Sequence, residues 1–129
     1  MPTGPTLVAR PCDRLVLVVE DEFLIATELE RLLGRHGWRV LGPAATVAQA
    51  LHLLDGGSQP AVALLDVNLG GELVTPVAAA LRDRGVPFVL ASAYDRLDLA
   101  APVLVGAPNV GKPTDEARLL AALARAVAP

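Results

Sequence analysis

The stretch LVLVVED at residues 15–21 decides the fold class of this chain of 129 residues. Its first five residues form a continuous aliphatic run, which is typical of a strand that is covered on both faces of a sheet. Two carboxylates, Glu20 and Asp21, follow at the point where that strand would end. The stretch therefore predicts a buried strand that ends in acidic groups.

The rest of the chain alternates aliphatic strands with amphipathic helices. Aliphatic runs predict four further strands, at 39–45, 61–65, 88–91 and 108–111. Apolar residues at helical spacing predict a helix after each of the first three strands and another at the end of the chain. Residues 95–107, which Pro102 and Gly106 interrupt, predict a short or irregular fourth helix. This alternation indicates an α/β fold with a doubly wound, five-stranded parallel sheet and helices on both faces.

Local signals set the limits of the domain and of its helices. Residues 1–13 contain three prolines and predict a flexible N-terminal leader, so the domain itself is expected at 14–129. The segment from Thr46 to Gln49 has the form of a capping box at the start of the second helix. Thr114 is predicted to cap the last helix. No output domain is expected, because the chain ends with that helix.

Composition excludes several classes of protein. Apolar residues make up 53% of the chain and aromatic residues only 3%, so the core must be aliphatic. A formal net charge of −3 gives no basic patch, which argues against nucleic-acid binding. The single Cys12 excludes an intramolecular disulfide and fits a reducing cytosol. No signal-peptide pattern or membrane-spanning apolar stretch is found, so the sequence predicts a soluble cytoplasmic domain without membrane contact.

Polar side chains follow four of the five predicted strands. Glu20 and Asp21 follow the first strand, Asp66 the third, Ser92 the fourth and Lys112 the fifth; Lys112 is the only lysine, against ten arginines. Each residue alone has an ordinary explanation, such as a helix cap, a polar loop or a compositional bias. Because ligands bind beyond the carboxyl ends of parallel strands, we expect these side chains to converge on one edge of the sheet.

Converging groups of these types suit phosphoryl chemistry. Three neighbouring carboxylates raise one another's pKa unless a cation intervenes, and an incomplete shell of carboxylate oxygens suits Mg²⁺. Asp66 can then act as a nucleophile that forms an aspartyl phosphate. Lys112, the Ser92 hydroxyl and loop N–H groups would stabilise the charge on the phosphoryl oxygens. Gly70 and Gly71 would let the loop after Asp66 form a tight turn.

Four motifs stand in a characteristic order: LVVEDE at 17–22, LLDVNL at 64–69, VLASA at 89–93 and GKP at 111–113. Together they resemble the motifs of two-component response-regulator receiver domains, over roughly residues 15–127. The stretches at 66–72, 76–78 and 84–89 also look like the single-domain subfamily called FAT GUY, whose name motif LASAY at 90–94 matches in part.

The resemblance implies a flavodoxin-like receiver fold with the strand order 2-1-3-4-5. It also implies that Mg²⁺ binds to Glu20, Asp21, the Asp66 side chain and the backbone carbonyl of Asn68. Asp66 would be the phosphoacceptor, Ser92 the switch hydroxyl and Lys112 the phosphoryl contact.

The function implied is that of a stand-alone receiver, which is not a turnover enzyme beyond its own phosphorylation and dephosphorylation. It would take a phosphoryl group from a histidine kinase or a phosphotransfer protein, then signal through altered protein contacts or act as a phosphate sink. A pseudo-receiver, an interaction module with the same fold and no phosphorylation, is the alternative. Asn109 favours that alternative, since most receivers have an aromatic switch residue three positions before the lysine. A haloacid-dehalogenase-type phosphatase would need an Asp where this chain has Asn68.

Overall fold

The computed structural model of the chain describes residues 14–92, 102–104, 106–112 and 115–128. The predicted leader at 1–13 lies outside these residues, as does most of the predicted fourth helix, of which Pro102–Leu104 form a short 3₁₀ helix. The other elements are, in chain order, β1 (Leu15–Val19), α1 (Phe23–Arg35), β2 (Arg39–Ala44), α2 (Val47–Asp55), β3 (Val62–Leu65), β4 (Asn68–Leu69), β5 (Glu72–Leu73), α3 (Thr75–Asp83), β6 (Phe88–Leu90) and α4 (Glu116–Val127).

Four parallel strands form the main sheet, in the order β2-β1-β3-β6. This is the predicted order for the first four strands. The predicted fifth strand is reduced to one parallel bridge between Leu90 and Asn109. Leu90 N–H donates to the Pro108 carbonyl and Val110 N–H donates to the Leu90 carbonyl, both at 2.8 Å. The pairing stays short because Pro108 has no N–H and Gly111, at φ +81°, turns the chain away.

The edge strand β2 contains an irregularity. Leu17 pairs with Leu41 whereas Val19 pairs with Ala44, so one additional residue of β2 is accommodated opposite Val18. Gly42 lies at this point with φ +102°, and an added Cβ would meet the Ala44 nitrogen at 2.7 Å. The irregular segment, which also contains Pro43, therefore requires glycine at position 42.

Two aliphatic layers cover the sheet, one on each face. On β1, Leu17 and Val19 face the layer that contains α2 and α3, whereas Val16 and Val18 face the layer that contains α1 and α4. This alternation confirms the doubly wound arrangement with helices on both faces. No helix in the described residues is both long and apolar enough to span a membrane.

Caps fix the starts of α2 and α4. Thr46 Oγ1 accepts from Gln49 N–H at 3.1 Å, so the threonine half of the predicted capping box is confirmed. Gln49 Oε1 accepts from Ala45 N–H at 2.8 Å, one residue before the N-cap N–H that the motif would use. The predicted cap at Thr114 is wrong by one residue. Asp115 is the N-cap, and its carboxylate accepts from Arg118 N–H at 2.9 Å. A carboxylate caps as well as a hydroxyl does, and it also favours the positive end of the helix dipole.

A two-residue turn at Gly70 and Gly71 joins the antiparallel strands β4 and β5 directly after β3. The two glycines have φ of +64° and +98°, which fits a turn that needs positive φ at both central residues. Gly71 N–H donates to Asn68 Oδ1 at 2.7 Å and tightens the turn. The predicted tight turn is confirmed, while the hairpin itself was missed because strands of two residues carry no readable periodicity.

Candidate functional site

The carboxyl ends of β1 and β3 bring three carboxylates together. Glu20 N–H donates to the Ala44 carbonyl and Asp66 N–H donates to the Val19 carbonyl, both at 2.9 Å, so both residues continue the sheet pairing. Oxygen atoms from Glu20, Asp21 and Asp66 all lie within 4.8 Å of one another. The predicted convergence of these three side chains is therefore observed.

Lys112 inserts its ammonium between two of these carboxylates. Its Nζ lies 3.0 Å from Glu20 Oε1 and 3.1 Å from Asp66 Oδ2. Glu20 and Asp66 are only 3% and 7% exposed, so the pairs are shielded from water. The single lysine of the chain thus partly balances the charge of Glu20 and Asp66. Its position after the fifth strand predicted that it would lie at this edge of the sheet, but not that it would pair with these two carboxylates.

The remaining carboxylate oxygens accept hydrogen bonds from backbone N–H groups. Glu22 N–H donates to Glu20 Oε2 at 3.1 Å, and Asn68 N–H donates to Asp66 Oδ1 at 3.3 Å. The hairpin turn also approaches the cluster, because a Cβ added at Gly70 would lie 3.5 Å from Asp21 Oδ2. The two hydrogen bonds orient the carboxylates of Glu20 and Asp66.

Burial raises the pKa of the Asp66 carboxyl from 3.8 to about 6. The hydrogen bond from Lys112 opposes this rise, and the negative charge of Glu20 adds to it. For Lys112, burial lowers the pKa, but the hydrogen bonds to Glu20 and Asp66 outweigh burial and raise it above 10.5. Near pH 7.5 the site therefore combines a charged lysine with an Asp66 that is mostly ionised.

The acidic cluster fits a hard divalent cation. Its ligand atoms are carboxylate oxygens, they are within reach of one ion, and they leave positions free for water or phosphate. The Asn68 side chain is occupied by the turn, where it accepts from Gly71 N–H. The Asn68 backbone carbonyl as a further ligand stays a prediction.

Ser92 follows β6 at the same edge of the sheet and is 4% exposed. Its N–H donates to Asn109 Oδ1 at 3.0 Å, and Gly111 N–H donates to the same oxygen at 3.0 Å. Sequence reasoning treated Asn109 only as a departure from a family pattern and missed this role. A usable signal was present, because Asn two residues before Gly is typical of a turn in which the side chain accepts from the backbone.

A second contact that sequence reasoning missed joins α1 to α4. Glu116 in the first turn of α4 lies 3.1 Å from His36 Nε2 and 3.8 Å from Arg35. His36 follows the last residue of α1 and is exposed. The contact lies on the helix layer and not at the acidic cluster.

No family model matches the chain. Among curated proteins, the phyllosphere-induced regulator PhyR of Methylorubrum extorquens is 30% identical over 114 residues, which cover 87% of this chain and 43% of the relative. The chain thus spans less than half the length of the curated relatives it matches first.

Solved structures match over most of the chain. The solution structure of SdrG from Sphingomonas melonis is 39% identical with a TM-score of 0.73, and the match covers 88% of this chain and 96% of SdrG. The receiver domain of the Erythrobacter litoralis PhyR response regulator is 28% identical with a TM-score of 0.77, covering 88% and 89%. A response regulator from Burkholderia pseudomallei, solved with a phosphorylated aspartic acid, calcium ion and citrate, is 27% identical with a TM-score of 0.73, covering 85% and 66%.

Proposed function

Because the chain belongs to the receiver domains of response regulators, we propose that it accepts a phosphoryl group on Asp66. The donor is a phosphohistidine of a sensor histidine kinase or of a phosphotransfer protein. The observation that carries the proposal is the cluster of Glu20, Asp21 and Asp66 with the Lys112 ammonium inserted into it. A purely structural role would not require four charged groups at one edge of the sheet.

Asp66 is the nucleophile in this proposal. One of its carboxylate oxygens attacks phosphorus, the P–N bond to the donor imidazole breaks, and the leaving imidazole keeps the bonding electron pair and takes up a proton. The attacking form is the ionised carboxylate, so a pKa of about 6 leaves Asp66 reactive at neutral pH. The hydrogen bond from Asn68 N–H and the ion pair with Lys112 hold the carboxylate in a fixed orientation.

Glu20, Asp21 and Asp66 would hold Mg²⁺, together with the Asn68 carbonyl. When bound, the ion would supply positive charge next to the phosphoryl oxygens. The choice of oxygen ligands supports a hard cation, and the Burkholderia pseudomallei response regulator, solved with a phosphorylated aspartic acid and a calcium ion, supports a divalent one.

Lys112 and Ser92 would contact the phosphoryl oxygens. The ammonium lies 3.1 Å from the Asp66 oxygen, so an oxygen of a group attached there comes within its reach. Ser92 supplies a hydroxyl at the end of the neighbouring strand β6. Both residues would bind the phosphorylated form more strongly than the free form, which is what a switch requires.

The output we propose is a changed protein-binding surface or storage of phosphate, and not turnover of a small substrate. The relatives are regulators, which supports this reading. We place the protein in the cytoplasm, where kinases and phosphotransfer proteins present phosphohistidine.

An intact-mass experiment tests the proposal. The wild type, Asp66→Asn and the exposed control Asp83→Asn are incubated with Mg²⁺ and acetyl phosphate, a small phosphoryl donor. We expect one added phosphoryl group on the wild type and on Asp83→Asn, none on Asp66→Asn, and none on any protein when EDTA replaces Mg²⁺. Absence of the adduct from the wild type would contradict the proposal and favour the pseudo-receiver.

A further inference from the structure

We propose that Asn109 is a positioning residue whose side-chain carbonyl fixes the backbone of Ser92 to the loop that carries Lys112. The two hydrogen bonds to Asn109 Oδ1, from Ser92 N–H and from Gly111 N–H, are called the Asn109 clamp below. The inference rests on the proposed function for its consequence, since Ser92 and Lys112 are the two residues proposed to contact the phosphoryl group.

The clamp begins where the sheet pairing of β6 stops. Ala91 N–H still donates to the Leu65 carbonyl at 2.9 Å, in register with β3. The next N–H along the chain, that of Ser92, is donated to the Asn109 side chain instead. The backbone that carries the Ser92 hydroxyl is therefore positioned by a side chain of the neighbouring segment.

The other half of the clamp acts on the lysine loop. Gly111 N–H donates to the same oxygen from two residues further along the chain, and Gly111 has φ +81°. This closes a turn that directs the next residue, Lys112, toward Glu20 and Asp66. A continuous set of contacts thus runs from Ser92 through Asn109 and Gly111 to Lys112 and Asp66.

Position 109 needs a hydrogen-bond acceptor in this arrangement. Two buried or half-buried N–H donors converge on one oxygen, and an apolar side chain would leave both without that acceptor. The backbone of Asn109 is held independently by the bridge to Leu90 and by Arg118, whose guanidinium lies 3.5 Å from the Asn109 carbonyl. A change of the side chain should therefore release the backbone of Ser92 and the loop that carries Lys112. The pairing of the Asn109 backbone with Leu90 should stay in place.

Two variants separate the acceptor from the rest of the residue. Asn109→Ala removes the acceptor, whereas Asn109→Asp keeps an oxygen at the same place. Gln59→Ala is the control, because the Gln59 side chain also donates a hydrogen bond to the backbone, to the Arg84 carbonyl. Gln59 precedes β3 and therefore lies at the amino end of the strands, away from the proposed site. Hydrogen exchange of the Ser92 and Gly111 amides is measured by NMR in the full chain, and the initial rate of phosphorylation is measured with acetyl phosphate and Mg²⁺.

We expect Asn109→Ala to speed exchange of both amides by roughly fivefold to tenfold, the effect of losing one hydrogen bond each. Exchange at Ala91 should stay unchanged, and phosphorylation should slow severalfold. Asn109→Asp should retain wild-type exchange at both amides, and Gln59→Ala should match the wild type in both measurements.

Wild-type exchange in Asn109→Ala would overturn the clamp, and wild-type phosphorylation despite faster exchange would overturn its positioning role. If Asn109→Ala does not fold, Asn109→Leu, which also lacks an acceptor and keeps a branched side chain, takes its place: faster exchange at both amides supports the clamp, and wild-type exchange overturns it. A wild type that takes up no phosphoryl group would contradict the proposed function alone, because the exchange measurement does not depend on phosphorylation.

Discussion

Replacing Asp66 by asparagine should stabilise the metal-free protein at neutral pH. In the folded state, Asp66 is buried beside Glu20, and these effects outweigh the attraction of Lys112, so the ionised form is disfavoured. Asparagine has nearly the same shape and carries no charge. The substitution therefore removes an unfavourable ionisation that the protein tolerates for its chemistry, and it removes the proposed phosphoacceptor at the same time.

The magnitude follows from the pKa of Asp66. That pKa is about 6 in the folded protein against 3.8 for the free group. A rise of about two units corresponds to about 3 kcal/mol of folding free energy. Between pH 3.8 and about 6 the folded state keeps a proton on Asp66 that the unfolded state has lost. The stability that depends on this proton is therefore fully present below pH 3.8. It is lost as the pH rises through about 6.

The assay is urea unfolding in EDTA at several values of pH between 4 and 8. We expect the free energy of unfolding of Asp66→Asn to exceed that of the wild type by about 3 kcal/mol at pH 7.5, or roughly 10 °C in Tm. Near pH 4 the two free energies should be equal. Glu30→Gln, which removes an exposed carboxylate from α1, is the control and should change stability by less than about 0.5 kcal/mol. An Asp66→Asn variant no more stable than the wild type at pH 7.5 would refute the reasoning.

Three further predictions follow from the site and the core. Glu20→Gln should raise the Kd for Mg²⁺ at least roughly tenfold, because it removes a charged ligand, and an unchanged titration would contradict that role. Lys112→Arg should impair phosphorylation-dependent changes in hydrogen exchange despite its charge, since a planar fork replaces a compact ammonium; full retention of those changes would show that charge alone suffices. Leu81→Ala, at a fully buried position of α3, should lower the free energy of unfolding in urea by about 2–5 kcal/mol. Leu73→Ala, at a position that is 42% exposed, should lower it by less than about 1 kcal/mol, and equal losses would contradict the described core.

The fold could be predicted because its signals are local. The run at 15–19 is continuously aliphatic, which is typical of a strand covered on both faces of a sheet, and the structure covers both faces. The convergence of Glu20, Asp66 and Lys112 followed from the predicted fold, since parallel strands place their carboxyl ends on one edge of the sheet.

What the sequence did not predict depends on contacts between distant residues. The insertion of Lys112 between Glu20 and Asp66 needs the length and direction of one side chain, which strand order does not give. The Asn109 clamp joins residues 17 positions apart. The start of α4 was misplaced by one residue because Thr114 and Asp115 are both good caps, and propensity alone does not choose between adjacent candidates.

The irregular segment of β2 and the short pairing of residues 108–110 have a consequence for how copies of this protein meet. These two segments are the lateral margins of the main sheet in the described residues, and each contains a proline, Pro43 and Pro108. Adding a strand from another chain needs free N–H donors along a straight margin, and proline provides none. We therefore expect the sheet to resist edge-to-edge aggregation, so that partners meet the molecule through its helices and through the loops around Asp66.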